Sequence, residues 1–310
     1  MSKEAGLPAE ALAKAGEKGL VTIGLMTYNR AGSYLPATLD SILAQTYKNF
    51  ELVISDNAST DNTEEVCRAY VKNDPRIKYI RQKENIGYVA NVNFLRTQVR
   101  GEYFVWICDD DLWAPAFLKK CVALLEANPQ AIMAAANLID FDDKGNRTPP
   151  RDPKKFYPSL KDLYSRLKQY TLFYESDGKD LFMFCAVWRR KAIANYFFVD
   201  YFIRYPWNWD FQDMNFVFHG LSKGTFEFVD EVLFYKRARI EALDQPKKKS
   251  FPRRIFDTLV YSRLKRLITP FFYRRMGDIV KVKELSLWAR ARLIFWTLFV
   301  MSRLFWKRKI

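Results

Sequence analysis

Four β-type runs recur along the first third of the chain, and their spacing restricts the fold more than any other feature. They are residues 21–26 (VTIGLM), 50–55 (FELVIS), 77–81 (IKYIR) and 103–108 (YFVWIC), with starts separated by 29, 27 and 26 residues. Segments with helical periodicity, such as 35–43 and 63–72, lie between them. Strand–helix–strand at about 30 residues per unit is the signature of βαβ construction, so the expectation is an α/β domain with a mainly parallel central sheet. In such sheets a ligand sits at the carboxyl ends of the strands. The residues that follow each run are therefore where chemistry is to be sought.

All four ends are polar. The first run continues into Thr27, Tyr28, Asn29 and Arg30, the second into Asp56, Asn57, Ala58, Ser59, Thr60 and Asp61. The third reaches Glu84, Asn85, Ile86 and Gly87, and the fourth runs into Asp109, Asp110 and Asp111. Three consecutive carboxylates after a buried strand repel one another unless a cation sits among them. A hard divalent ion that shares its ligands with substrate phosphates needs only one or two protein carboxylates. A solvated acidic turn is the plain alternative. No GxGxxG or GxxxxGK[ST] segment occurs, so phosphates would be held by metal and by Arg or Lys rather than by a glycine-rich helix start. That sets aside dinucleotide oxidoreductases and P-loop NTPases.

In this order the motifs resemble those of family 2 glycosyltransferases of the GT-A fold, over roughly residues 21–239. A T-x-N-R segment is matched by Thr27, Asn29 and Arg30, and D-x-x-S-T-D by Asp56, Ser59, Thr60 and Asp61. Asn85 and Gly87 match N-x-G, with Asn93 at a later amide position, and the run 109–111 matches the D-x-D or D-D metal motif. The resemblance implies an inverting enzyme that takes a sugar from a nucleotide-sugar donor with Mn²⁺ or Mg²⁺. It also implies roles: Thr27, Tyr28, Asn29 and Arg30 at the nucleoside pocket, Asp56 as acceptor for an N–H of the base, and Arg81, Asn85 and Gly87 at base or ribose. Asp109 would touch ribose or metal, and Asp110 or Asp111 would bind the metal and bridge to the diphosphate. A helix N-cap is the competing role for Asp56.

Deprotonating the acceptor hydroxyl requires a general base. The family places it in an E-D pair near a tryptophan and before a helix, matched here by Trp209, Asp210, Phe211, Gln212 and Asp213. Asp213 is the candidate base and Asp210 the reserve; an acidic residue favoured in a first helical turn is the other reading. The chain departs from the pattern at Ser55 and Cys108, where many relatives carry aspartates, at Gln212 in place of glutamate, and at Val92 in place of a frequent arginine. Arg237 and Arg239 are candidates to reach the diphosphate, and the lone His219 reads as a helix-end residue.

Charge divides the chain. Residues 241–310 hold 18 Lys/Arg against 5 Asp/Glu, which leaves 32 against 30 in the first 240. The body is near neutral, which argues against nucleic acid as a partner. The expected layout is a leader at 1–19, a GT-A domain at 20–240 and a basic amphipathic helical tail at 241–310. Further strands are expected at 182–190 and 225–235, with a helix or loop–helix over 207–220. The stretch 285–306 is apolar, but Arg290, Arg292 and Arg303 make spanning costly. A helix lying in the headgroup region suits it better, with Trp288, Phe295, Trp296, Phe299 and Trp306 in the interface. Lys247, Lys248 and Lys249 and the arginines from Arg253 to Arg275 would draw it to an anionic cytoplasmic leaflet. That gives peripheral attachment on the cytoplasmic side of the membrane and a glycan or lipid-linked acceptor. A helical appendage packed on the body is the competing reading, and such helices also pair with a second copy of the chain. Cys67, Cys108, Cys121 and Cys185 form no CxxC and read as reduced thiols. The first 19 residues lack the apolar run of a signal peptide. Outside this reading stand a metal-dependent nucleotidyltransferase and a membrane-recruited scaffold without turnover.

Overall fold

The computed structural model describes residues 17–150, 162–172, 186–194, 196, 216–237 and 276–306. Among these residues one sheet of eight strands forms the frame: β1 Glu17–Thr27, β2 Phe50–Asp56, β3 Ile77–Arg81, β4 Gly101–Cys108, β5 Leu112–Trp113, β6 Ala131–Phe141, β7 Ala186–Arg189 and β8 Thr225–Arg237. Their spatial order is β3-β2-β1-β4-β7-β6-β8-β5. The helices are α1 Leu35–Leu43, α2 Thr63–Asn73, α3 Tyr88–Thr97, α4 Phe117–Ala127, α5 Leu163–Leu172, α6 Arg190–Ile193 and α7 Leu287–Trp306.

The four regularly spaced runs form β1 to β4, and β1, β2, β3 and β4 pair in parallel as expected. The other half of the sheet is mixed. Strand β7 is antiparallel to β4 and β6, β5 is antiparallel to β8, and only β6 with β8 is parallel. Strand β8 runs past the expected end to Arg237, and β1 begins inside the segment expected as a leader.

Both faces of the central strands are covered, which is why β4, β6 and the inner part of β1 and β2 are almost wholly buried. Alternation assigns the faces. Val21, Ile23, Leu25, Tyr103, Val105 and Ile107 point into a core shared with α1, α2 and α4. Met26, Val53, Phe104 and Trp106 point into a second core with α3, α5 and the start of α7. Gly24 makes room in the second: a Cβ there would meet the Phe104 ring at 3.0 Å. Arg189 ties the two halves, donating to the carbonyls of Ala131 and Leu125 and pairing with Glu102 at 3.1 Å.

The tail helix is anchored. Leu293 and Thr297 of α7 are fully buried against the body, Lys168 lies 4.9 Å from the Trp296 ring centroid, and Arg292 lies 5.5 Å from that of Tyr164. Its other side leaves Leu287 and Trp288 at 81% exposure, Phe295 at 61% and Leu298 at 46%. Among the described residues no helix is long and apolar enough to cross a membrane. The basic positions from Lys247 to Arg275 lie outside the described residues.

Candidate active site

The site is built from two latched loops. After β1, Asn29 takes a positive φ of 55°, and after β2, Ala58 takes 63°. Asparagine tolerates this region; for alanine it is strained, and such strain persists only where the surroundings fix it. Here they do. The Asn29 carboxamide oxygen accepts the Thr60 N–H at 2.7 Å, and the Asn29 N–H donates to the Ser59 hydroxyl at 2.9 Å. The Arg30 N–H donates to the Thr63 hydroxyl at 2.8 Å, and the Ala31 N–H to Asp61 at 3.1 Å.

Asp56 is fully buried beneath these loops. One carboxylate oxygen accepts the Ser59 N–H at 2.9 Å and the Ser59 hydroxyl at 2.6 Å; the other accepts the Tyr79 hydroxyl at 2.6 Å. Arg81 donates to the Ser59 carbonyl at 2.9 Å and pairs with Glu64 at 3.2 Å. Both stand behind the loops and support them. The loop after β3 is held by Asn57, whose side chain donates to Asn85 at 2.9 Å and accepts the Ile86 N–H at 2.9 Å. Gly87, at φ 78°, turns this loop into α3, a conformation that suits glycine.

The opening between these loops and the acidic run is a pocket of about 430 Å³. It is lined by Thr27, Tyr28, Arg30, Asn85, Asp109 and Asp110, all expected from the sequence, together with Met26, Asn57, Tyr88, Asn91 and Cys108. The amide on α3 that reaches the pocket is Asn91, not Asn93. It is braced by Ser55, whose hydroxyl donates to the Asn91 carboxamide oxygen and accepts from Gln82 at 3.0 Å. An uncharged network of Ser55, Gln82 and Asn91 thus occupies this end of β2.

The three carboxylates part ways. Asp109 pairs with Arg30 at 3.3 Å. Burial pushes its pKa up to about 6, against the lowering effect of the Thr27 hydroxyl and Arg30. Asp111 is buried and accepts the Arg237 N–H at 3.0 Å; burial first, then the neighbouring Asp110, push it up to about 8. Asp110 is half-buried and lines the pocket. The donor atoms of Cys108, Asp110 and Asp111 all lie within 4.8 Å of one another. Two donors on opposite sides of one ion, each at about 2.0–2.3 Å, stand ~4.4 Å apart, so this set suits a single divalent cation with little rearrangement. The grouping takes in Cys108, whose soft thiol is a poor ligand for a hard ion, so the two carboxylates are the ligands it offers, and it leaves Asp109 to Arg30. Burial and the three nearby carboxylates raise the Cys108 thiol well above its ordinary range.

Asp213, Asp210 and Arg239 lie outside the described residues. His219 sits in helical residues 216–221 with its ring 5.1 Å from that of Tyr196 and is not among the residues that line the pocket. Arg237 turns its guanidinium to Tyr34, Phe141 and Asp143. Asn57 was within reach of sequence reasoning, as an amide next to a strand end, whereas Asn91 lies inside α3. Tyr34 and Asp143 carried no signal of their own.

A pocket at four strand ends, closed on one side by clustered acids, marks the candidate site of this α/β frame. The chain belongs to glycosyl transferase family 2, whose sequence profile matches residues 22–197, more than half of its length. It is 35% identical over 133 residues to EpsE of Bacillus subtilis strain 168, a glycosyltransferase by designation, covering 43% of this chain and 47% of that protein. It is 30% identical over 141 residues to the uncharacterized glycosyltransferase MJ1057 of Methanocaldococcus jannaschii, covering 45% and 49%. The matches thus span about half the length of these relatives. Among solved structures, S. aureus TarS 1-349 in complex with UDP-GlcNAc has a TM-score of 0.60 at 16% identity, covering 90% of this chain and 71% of that one. The mannosyltransferase PcManGT from Pyrobaculum calidifontis, in complex with GDP-Man and Mn²⁺, has a TM-score of 0.51 at 18% identity, covering 94% and 86%. These likenesses establish the GT-A fold.

Proposed function

We propose that the chain transfers a sugar from a nucleoside diphosphate sugar to a hydroxyl of a glycan or lipid-linked acceptor, with inversion at the anomeric carbon. The observation that carries this reading is the pocket itself, which gathers amides, Tyr28, Arg30, Asp109 and Asp110 at the carboxyl ends of the parallel strands. Relatives of the same fold hold UDP-GlcNAc or GDP-Man with Mn²⁺, and the donor set beside this pocket suits such an ion.

In this reading Asn57, Asn85 and Tyr28 face the base and ribose, with Asp56 and Arg81 fixing the loops around them. Asp109, held by Arg30, takes the ribose hydroxyls. Mn²⁺ or Mg²⁺, held by Asp110 and Asp111 with Cys108 alongside, would neutralise the diphosphate as it departs. The acceptor oxygen forms a bond to the anomeric carbon as the bond to the diphosphate oxygen breaks. The hydroxyl proton passes to a carboxylate, for which Asp213 is the candidate and Asp210 the reserve. The surplus of basic residues in 241–310 and the exposed apolar side of α7 favour peripheral attachment to an anionic, cytoplasm-facing membrane surface.

The test is donor binding and hydrolysis across a panel of nucleotide-sugars with Mn²⁺, Mg²⁺ or EDTA. Turnover of one donor that requires metal and is lost in Asp110→Ala/Asp111→Ala supports the reading. Failure to bind any nucleotide-sugar, with or without metal, overturns it. Attachment through the tail is tested separately: it falls if the protein stays in the membrane fraction after removal of 241–310, or if the intact chain ignores anionic vesicles.

A further inference from the structure

Arg237 ends β8 beside the acidic run, and its contacts reach further than those of a surface arginine. Its backbone N–H donates to Asp111 at 3.0 Å, and its Nε donates to the Asp110 carbonyl at 3.2 Å. Its guanidinium carbon lies 3.7 Å from the Tyr34 ring centroid and 4.4 Å from that of Phe141. The same guanidinium pairs with Asp143, which also accepts the Tyr34 hydroxyl. Its side chain is only 15% exposed. One residue thereby joins the loop leading into α1, the acidic run after β4, the turn after β6 and the end of β8.

We infer that Arg237 is the positioning residue of the cation site, and that Tyr34 and Asp143 act through it. The inference rests on reading Asp110 and Asp111 as cation ligands. Adjacent carboxylates repel, and left to themselves they splay apart. Arg237 opposes this at two points: its main-chain N–H, which the variants below retain, holds the Asp111 carboxylate, and its side chain, held in turn by Tyr34, Phe141 and Asp143, pins the Asp110 carbonyl. A planar guanidinium is suited to the task, since it stacks on the two rings while its N–H groups point in fixed directions; a lysine ammonium does neither. Tyr34 lies on the loop that carries Tyr28 and Arg30, so the cation site and the nucleoside pocket share one support.

The experiment is titration of Mn²⁺ into the nucleotide-free full-length protein, with the free ion followed by EPR, for wild type, Arg237→Lys, Arg237→Gln and Asp143→Asn. Outer-shell partners of a metal site are worth about 10–100-fold in affinity. Both Arg237 variants are expected to bind Mn²⁺ at least about tenfold more weakly, with Asp143→Asn in between. Asp143 is largely exposed, so that variant is expected to keep the wild-type melting temperature and the wild-type affinity for the nucleotide in EDTA. Wild-type Mn²⁺ affinity in Arg237→Lys overturns the inference. So does a loss of Mn²⁺ binding in every variant matched by an equal loss of EDTA-insensitive nucleotide binding and of thermal stability. If wild type itself binds no Mn²⁺, the cation reading of the acidic run falls and this inference with it.

Discussion

Asp111 offers a direct measure of how the site is poised, because its burial has a cost that a cation or a neutral isostere removes. An unfolded aspartate titrates near 3.9, whereas folding pushes Asp111 up to about 8, chiefly by burial. A carboxylate whose folded pKa is raised binds protons more tightly in the native state. Below about pH 4 its burial therefore costs nothing; the cost grows as pH rises and levels off above the folded value. At 1.36 kcal/mol per unit, the raw figure at pH 7 is about 4 kcal/mol. Relaxation of the surroundings reduces this, so about 2–4 kcal/mol is expected. Asp111→Asn keeps an oxygen to accept the Arg237 N–H and has no charge to bury. In EDTA it is expected to melt higher than wild type at pH 8, by several degrees on the scale of about 1.5–2 °C per kcal/mol for a chain of this size. The gain should shrink steadily towards pH 4.5. Mn²⁺ narrows the gap: at 100 times its dissociation constant it stabilises wild type by about 2.7 kcal/mol, and the variant gains little. Differential scanning fluorimetry from pH 4.5 to 8.5, with Mn²⁺ or EDTA, reads all of this. If the variant melts below wild type at pH 8 in EDTA, the carboxylate is not under strain; if it gains as much from Mn²⁺, Asp111 is not a ligand.

Arg30→Ala removes the partner that holds Asp109 down at 3.3 Å, so the pKa of Asp109 moves above 6. Nucleotide affinity should then fall more at pH 6 than at pH 8, as calorimetry at both values would show; an equal loss would mean that Arg30 acts on the ligand alone. Gly87→Ala meets no atom within 4 Å but must keep a φ of 78° with a ψ of 163°, a region essentially reserved for glycine, so urea denaturation should register a backbone cost of about 1–3 kcal/mol. Asn57→Ala orphans the Ile86 N–H and one bond to Asn85. It should cost about 1–3 kcal/mol for each group left unsatisfied and weaken nucleotide binding even in EDTA.

What the sequence disclosed, it disclosed through rules that act over short range. Strands β1 to β4 are each a compact apolar run followed by polar residues, and the crossover between parallel strands fixes where those residues gather. Thr27, Tyr28, Arg30, Asn85, Asp109 and Asp110 were legible for that reason. Strand β6 was not. It reads AIMAAANLIDF, is buried from Ala131 to Asp140, lacks alternation, and carries only Ile132 and Ile139 as β-branched residues beside four alanines. Alanine favours helix, and here the neighbours β7 and β8 override that preference. The fate of individual carboxylates was also hidden. Asp56 and Asp109 both follow strands, yet Asp56 is closed off by Ser59 and Tyr79 while Asp109 opens to the pocket.

The Arg237 contacts mark where local reasoning ends. Asp111 and Arg237 are 126 positions apart, and Arg237 and Asp143 are 94 apart. No spacing rule brings them together; the parallel pairing of β6 with β8 does, by setting Phe141 beside Arg237. The strand pair β5–β8 then carries the acidic run to the same place, since Leu112 registers with Tyr235. A substitution that slipped β8 by one residue would turn Arg237 to the opposite side of the sheet and strip Asp110 and Asp111 of their shared support, although every residue of the acidic motif stayed in place. The motif supplies the ligands, but the mixed half of the sheet, which no motif announces, sets the geometry in which they meet a cation.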